Sequence, residues 1–200
     1  MTAEQWITVW SSFGSAIIGG LIGGGFAILA GRQAHRNSLK LDQVQGQKKI
    51  CGILQAIRCE LVSVGEVYQQ QSGGLLDKLK EGEPFNVRFC LTEKYFIVYP
   101  NNTDAVGQIE DADLVKSIVE TYIKANLLIE TFRMNNLSLD QIRQFQEKGP
   151  SLTNNASVAA LERQRIEIAG LLKKLHKDLD RETSSLLKKI DEYLSRTANG

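Results

Sequence analysis

The apolar positions of this chain change rhythm along its length, and each change predicts a different element. From Trp6 to Gly31 almost every side chain is apolar or small, and no charge falls between Ile7 and Ala30. A helix of that length reaches roughly 39 Å at about 1.5 Å per residue, more than the ~30 Å hydrocarbon core of a bilayer. The segment is predicted to span a membrane with modest tilt. Ile17, Ile18, Leu21, Ile22, Phe26 and Leu29 each favour insertion by about 0.3–0.6 kcal/mol near the centre, against the cost of several glycines and serines.

Arg32 to Lys49 is polar and glutamine-rich, a helical extension at the membrane face. A second rhythm then begins. Ile50, Leu54, Ile57, Leu61, Val64 and Tyr68 alternate spacings of four and three, the seam of an amphipathic helix, which Ser72-Gly73-Gly74 is predicted to end. The seam returns at Val115, Ile118, Tyr122, Ala125, Ile129 and Phe132, opened by Glu110, Asp111 and Asp113 where a helix dipole favours acid. Asn135-Asn136 suits the C-terminus of that helix, and Ser138 with Gln141 suits the capping box of a short one running to Glu147. Gly149-Pro150 stops it. The last helix, about Ala156 to Thr197, carries Leu161, Arg165, Ile168, Leu172, Leu175, Leu179, Glu182, Leu186, Ile190 and Tyr193 at near-heptad spacing, with Arg165 and Glu182 interrupting the seam by charge.

Between the first two seams lies Pro84–Pro100, where apolar and polar residues alternate from Phe85 to Thr92 and a second apolar run follows at Tyr95–Tyr99. Either a small β-hairpin or an irregular aromatic loop fits it. The expected fold is therefore all-α: one N-terminal transmembrane helix (1–31), a basic juxtamembrane helix (32–49) and a cytoplasmic helical bundle (50–200) of long amphipathic helices that bury one another's seams.

Charge sets the orientation. The net charge is +1, which with the lack of any basic run interleaved with aromatics argues against nucleic acid as a partner. Before the span lies only Glu4; after it come Arg32, Arg36 and Lys40, close enough to meet lipid headgroups. The positive-inside rule places the N-terminus outside and the long C-terminal part in the cytoplasm. A cleaved signal peptide would carry its positive charge ahead of the apolar stretch, and here the order is reversed.

Within the span, Ser15, Gly19, Gly23, Ala27 and Gly31 recur every fourth residue, beside a second row of Ser12, Ala16, Gly20 and Gly24. Small residues at this spacing form a shallow groove that lets another helix pack closely. With one span in the chain, that helix comes from another copy, so a homo-oligomer in contact with membrane lipids is expected.

Chemistry is sparse. The 3 cysteines form no CxxC pair and the 2 histidines are far apart, so neither a disulfide framework nor a zinc site is expected. No GxSxG, GxxxxGK[ST] or HExxH motif occurs, and no catalytic residue, metal ligand or cofactor is assigned. The turn at Tyr99, Asn101 and Asn102 sets polar groups beside aromatics and is the candidate partner surface. The expected function is a single-pass anchored helical protein. It self-associates through its glycine face and binds or scaffolds an unidentified cytoplasmic protein. The alternative is a membrane effector whose glycine-rich helices assemble into a pore.

Overall fold

The computed structural model describes residues 44–90, 95–149 and 152–198. The expected span, both small-residue rows, and Arg32, Arg36 and Lys40 lie outside these residues. The chain divides into two units, 1–49 and 50–200. Of the first, only 44–49 are described, and they are helical. Among the described residues no helix is long and apolar enough to cross a membrane.

The second unit is all-helical among its described residues, built from α1 (44–68, of which 50–68 belong here), α2 (Gly74–Lys78), α3 (Thr103–Val106), α4 (Ala112–Glu147) and α5 (Leu152–Ala198). α4 has 36 residues and α5 has 47, so they run about 54 and 70 Å. Lys124 pairs with Glu182, Lys189 donates to Ser117 Oγ and Arg196 reaches Asp111. Those partners advance along α4 while they retreat along α5, which makes the two helices antiparallel. Arg58 with Asp191 and Tyr68 with His176 set α1 antiparallel to α5 in the same way. α1 and α4 consequently run in the same direction, and the chain between them must travel back along the bundle. That return explains the long connection 79–111.

Most of the seam positions read from the sequence are buried in the core, while Val64, Tyr68, Val115, Ile129, Leu161, Leu179 and Tyr193 are only partly buried. Ile50, Leu54, Ile57, Leu61, Ile118, Tyr122, Leu186 and Ile190 are buried in one cluster, with Val106 and Ile109 of the return segment. Leu76, Phe85, Phe89, Leu128, Phe132, Ile168, Leu172 and Leu175 form a second.

Local signals were overruled in three places. Ser72-Gly73-Gly74 does not end the first helix: it widens into a π-helical turn, Gln69–Gly73, and continues as α2, which buries Leu76 completely. Asn135-Asn136 does not end α4, and Ser138 caps nothing; its hydroxyl donates back to the Met134 carbonyl inside a continuous helix. The asparagines face inward and hold the return segment instead. Asn136 accepts from Phe89 N at 3.1 Å and donates to Phe89 O at 2.8 Å, while Asn135 donates to Val87 O at 3.3 Å. The side-chain amides thus hold the backbone of 84–90, which forms neither helix nor strand, against α4. α4 does stop at Gly149, whose φ of +81° is the left-handed conformation that glycine adopts without penalty.

Candidate functional site

Two features stand out once the bundle is assembled: an outward apolar stripe on α4 and a cleft between the core clusters.

α4 is apolar on two sides. Its inward face buries Leu114, Ile118, Tyr122, Ala125, Leu128 and Phe132. On the other side Ile123, Leu127, Met134 and Leu137 remain 60, 48, 48 and 57% exposed. Their spacing of 4, 7 and 3 residues is the seam of a further helix–helix contact, with Glu130 filling the missing register position and paired to Arg133 at 3.3 Å. Such a stripe comes to a few hundred Å², the size of the largest apolar patch on an ordinary monomer.

The cleft lies at the waist of the bundle, where the two clusters fail to meet. It holds about 430 Å³ and is walled by Leu61, Val64 and Tyr68 of α1, Ala125 and Leu128 of α4, Leu179 of α5 and the rings of Phe89, Tyr95 and Phe96 from the return segment. A sealed void of that size would cost about 10 kcal/mol at ~24 cal/mol per Å³, comparable to the whole stability of a domain. The cleft instead opens to solvent past exposed Ser63, Gly65 and Val67 on α1. Its volume falls in the range of small-molecule pockets, roughly 300–1,000 Å³.

A hydrogen-bonded relay closes one end. Tyr68 Oη lies 2.9 Å from His176 Nδ1, and His176 Nε2 lies 3.0 Å from Asp77 Oδ1. Neutral His176 satisfies both partners by accepting from the tyrosine and donating to the carboxylate. Gln69 adds a bond to the other oxygen of Asp77 at 3.1 Å. The histidine hydrogen bond, and then that from Gln69, hold Asp77 below the usual carboxylate range. Burial, and then the negative charges of Asp77 and Asp180, push the Tyr68 hydroxyl well above the ordinary tyrosine value. Tyr68 therefore stays protonated as a donor, unsuited to act as a nucleophile. The relay fixes the ring that walls the cleft.

The structure pairs His176 with Tyr68 and Asp77, 108 and 99 residues away in sequence. No local signal could reveal that, because the contact exists only once α2 packs against α5. Asp180 lines the cleft and has no hydrogen bond or ion pair among the described residues. Arg165, expected to break the seam, is instead buried, donating to Phe85 O at 3.0 Å and Asn86 Oδ1 at 2.6 Å. Glu182 is paired with Lys124. Tyr99 is stacked on Tyr122 with centroids 4.6 Å apart, while Asn101 and Asn102 donate to the carbonyls of Ile97 and Val98. The polar groups of that turn are engaged within the chain. The cysteines are free, and no group of three or more metal-ligating side chains gathers among the described residues.

Comparison with known proteins finds no family model, curated sequence or solved structure that matches this chain.

Proposed function

We propose that the chain is a membrane-tethered helical interaction protein that works as a homo-oligomer. Trp6–Gly31 serves as its span, 50–200 as its cytoplasmic module, and the stripe Ile123, Leu127, Met134 and Leu137 as the contact between copies. The observation that carries the reading is the stripe, a heptad-spaced apolar face left in water on a helix whose other face is already buried. Its area is well below the ~800 Å² per partner of a stable soluble complex. It suits copies already held together. Two tethered modules meet at an effective concentration on the order of millimolar, where a contact worth about 4 kcal/mol is populated. The small-residue row Ser15, Gly19, Gly23, Ala27 and Gly31 favours that pairing within the bilayer. A paired module then offers a cytoplasmic protein two copies of its remaining surface, the arrangement of a scaffold.

Energy transfer between labelled copies in vesicles tests this. Gly23→Ile holds the spans apart, whereas Gly25→Ile lies off both small-residue rows. Leu127→Glu places a charge in the stripe, where the exposed position costs little in folding. Association is expected to fall about tenfold or more for Gly23→Ile and for Leu127→Glu, and to stay at the parent level for Gly25→Ile. Parent-like association of Leu127→Glu would remove the stripe from the interface. Full-length chain recovered in the soluble fraction after carbonate washing would remove the tether. Dye release from the same vesicles would favour a pore instead.

A further inference from the structure

The waist cleft has a chemistry that its apolar volume alone does not convey. No lysine or arginine lines it among the described residues; its charged wall is the carboxylate of Asp180, unpaired, on the α5 turn beyond His176. Tyr68, Phe89, Tyr95 and Phe96 line the same space. Tyr68 meets Phe89 edge-on with centroids 6.4 Å apart, while Phe89 stacks on Phe132 at 4.4 Å and on Tyr95 at 6.1 Å. The rings thus form a corner in which the faces of Phe89 are already covered, and Tyr68, Tyr95 and Phe96 supply the aromatic surface left for a ligand. Ring faces carry negative quadrupole potential and attract cations that shed water readily. An anion would meet the repulsion of Asp180 with no basic side chain to offset it among the lining residues. A neutral apolar molecule would fill the volume but gain nothing from Asp180, which is exposed at the cleft and otherwise meets water.

We propose that this cleft is a binding site for a small hydrophobic ammonium: a quaternary or protonated amine whose head sits between the aromatic corner and Asp180 and whose apolar tail fills the space towards Leu61 and Val64. The assignment rests on charge complementarity together with volume. The cleft is large enough for a ligand, its walls attract a weakly hydrated cation, and its one unpaired charge is of the opposite sign. The Tyr68–His176–Asp77 relay contributes by positioning. It ties the Tyr68 hydroxyl to His176 and so fixes the ring in the wall of the cleft.

Gly65 provides the control. It lies on α1 at the mouth of the cleft, and a Cβ added there meets nothing within 4 Å. Gly65→Phe therefore enters open space, improves helix propensity and puts a ring where the ligand would enter. The full chain in non-ionic maltoside micelles is titrated with phenethyltrimethylammonium, with 2-phenylethanol as the neutral comparison and 3-phenylpropionate as the anionic one. Calorimetry or ligand-observed NMR reads the affinity. The cation is expected to bind about tenfold or more tighter than the neutral compound, and the anion not to bind. Asp180→Asn should weaken the cation about tenfold while leaving 2-phenylethanol unchanged, and Gly65→Phe should abolish binding of both. Soluble phosphocholine should bind more weakly than the cation, because its phosphate carries negative charge towards Asp180. Equal affinity for cation and neutral compound, or no binding of the cation, overturns the proposal. Binding that survives Gly65→Phe places the cation elsewhere and does the same. Tighter binding of phosphocholine overturns it in favour of a lipid-headgroup site.

Discussion

Arg165 is the side chain whose loss separates a clamped return segment from one that merely rests on the bundle. It projects from α5 with its side chain 3% exposed, donating through Nη2 to Phe85 O and Asn86 Oδ1 and through Nη1 to Glu162 at 3.2 Å. Its Nε has no hydrogen-bond partner. Arg165→Ala removes two charge-assisted bonds to the return segment, each worth about 1.5–3 kcal/mol, and strands the Phe85 carbonyl in the interior. Against that, the buried guanidinium no longer carries its own desolvation, a relief of several kcal/mol that offsets part of the loss. Glu162 is 43% exposed and rehydrates, so its side of the pair adds little. The net expectation is a loss of about 2–4 kcal/mol, or roughly 5–15 °C in Tm for a domain of this size. Helix-band circular dichroism of the full chain under heat and denaturant measures it. A double-mutant cycle with Asn86→Ala isolates the contact, because Asn86 is otherwise exposed; a coupling of about 1–2 kcal/mol is expected. A single-variant loss under about 0.5 kcal/mol, or a coupling near zero, would show that Arg165 does not hold the segment.

Adjacent leucines on α5 should differ sharply: Leu172→Ala, fully buried, should lower stability by about 2–5 kcal/mol, and Leu171→Ala, 43% exposed, by about 0.5 kcal/mol or less in denaturant titrations. Equal costs would mean that α5 turns a different face inward. Tyr68 and Tyr122 are both raised, by burial first and then by Asp77 and Asp180 for Tyr68 and by Glu60 for Tyr122. Below the ordinary tyrosine value of about 10 both are neutral folded or unfolded, and they make no difference to stability with pH. Above it the unfolded chain ionises first, so stability falls as pH climbs towards the raised folded values. Tyrosinate absorbance should therefore rise in two stages, the second coinciding with loss of helix. Tyr68→Phe and Tyr122→Phe should each shrink the second stage. All 5 tyrosines titrating together near pH 10 with helix intact would contradict the buried placement.

What the sequence determined by itself was the set of faces. A 4-3 alternation of apolar residues specifies which side of a helix avoids water, because 3.6 residues per turn is a property of the backbone alone. Ile50, Leu54, Ile57 and Leu61, then Ile118 and Tyr122, then Ile168, Leu172, Leu186 and Ile190 were legible as inward positions, and they are buried. Helix ends were less legible. Ser72-Gly73-Gly74 and Asn135-Asn136 are weak stop signals worth on the order of 1 kcal/mol, and burial of Leu76 and Ile142 and the bonds from Asn136 to Phe89 outweigh them.

Only the tertiary structure decided what the faces meet. The 4-3 pattern says that a seam is buried but not against which neighbour, nor that α1 and α4 run parallel and force the chain between them back along the bundle. The outward stripe of α4 was hidden in the sequence because that helix carries apolar residues on two sides, which blurs the periodicity of each. The Asp77–His176–Tyr68 relay, the Arg165 clamp and the waist cleft join residues about 80 to 108 positions apart. Their geometry comes from the angle and spacing at which packed helices settle, which no local run of side chains encodes.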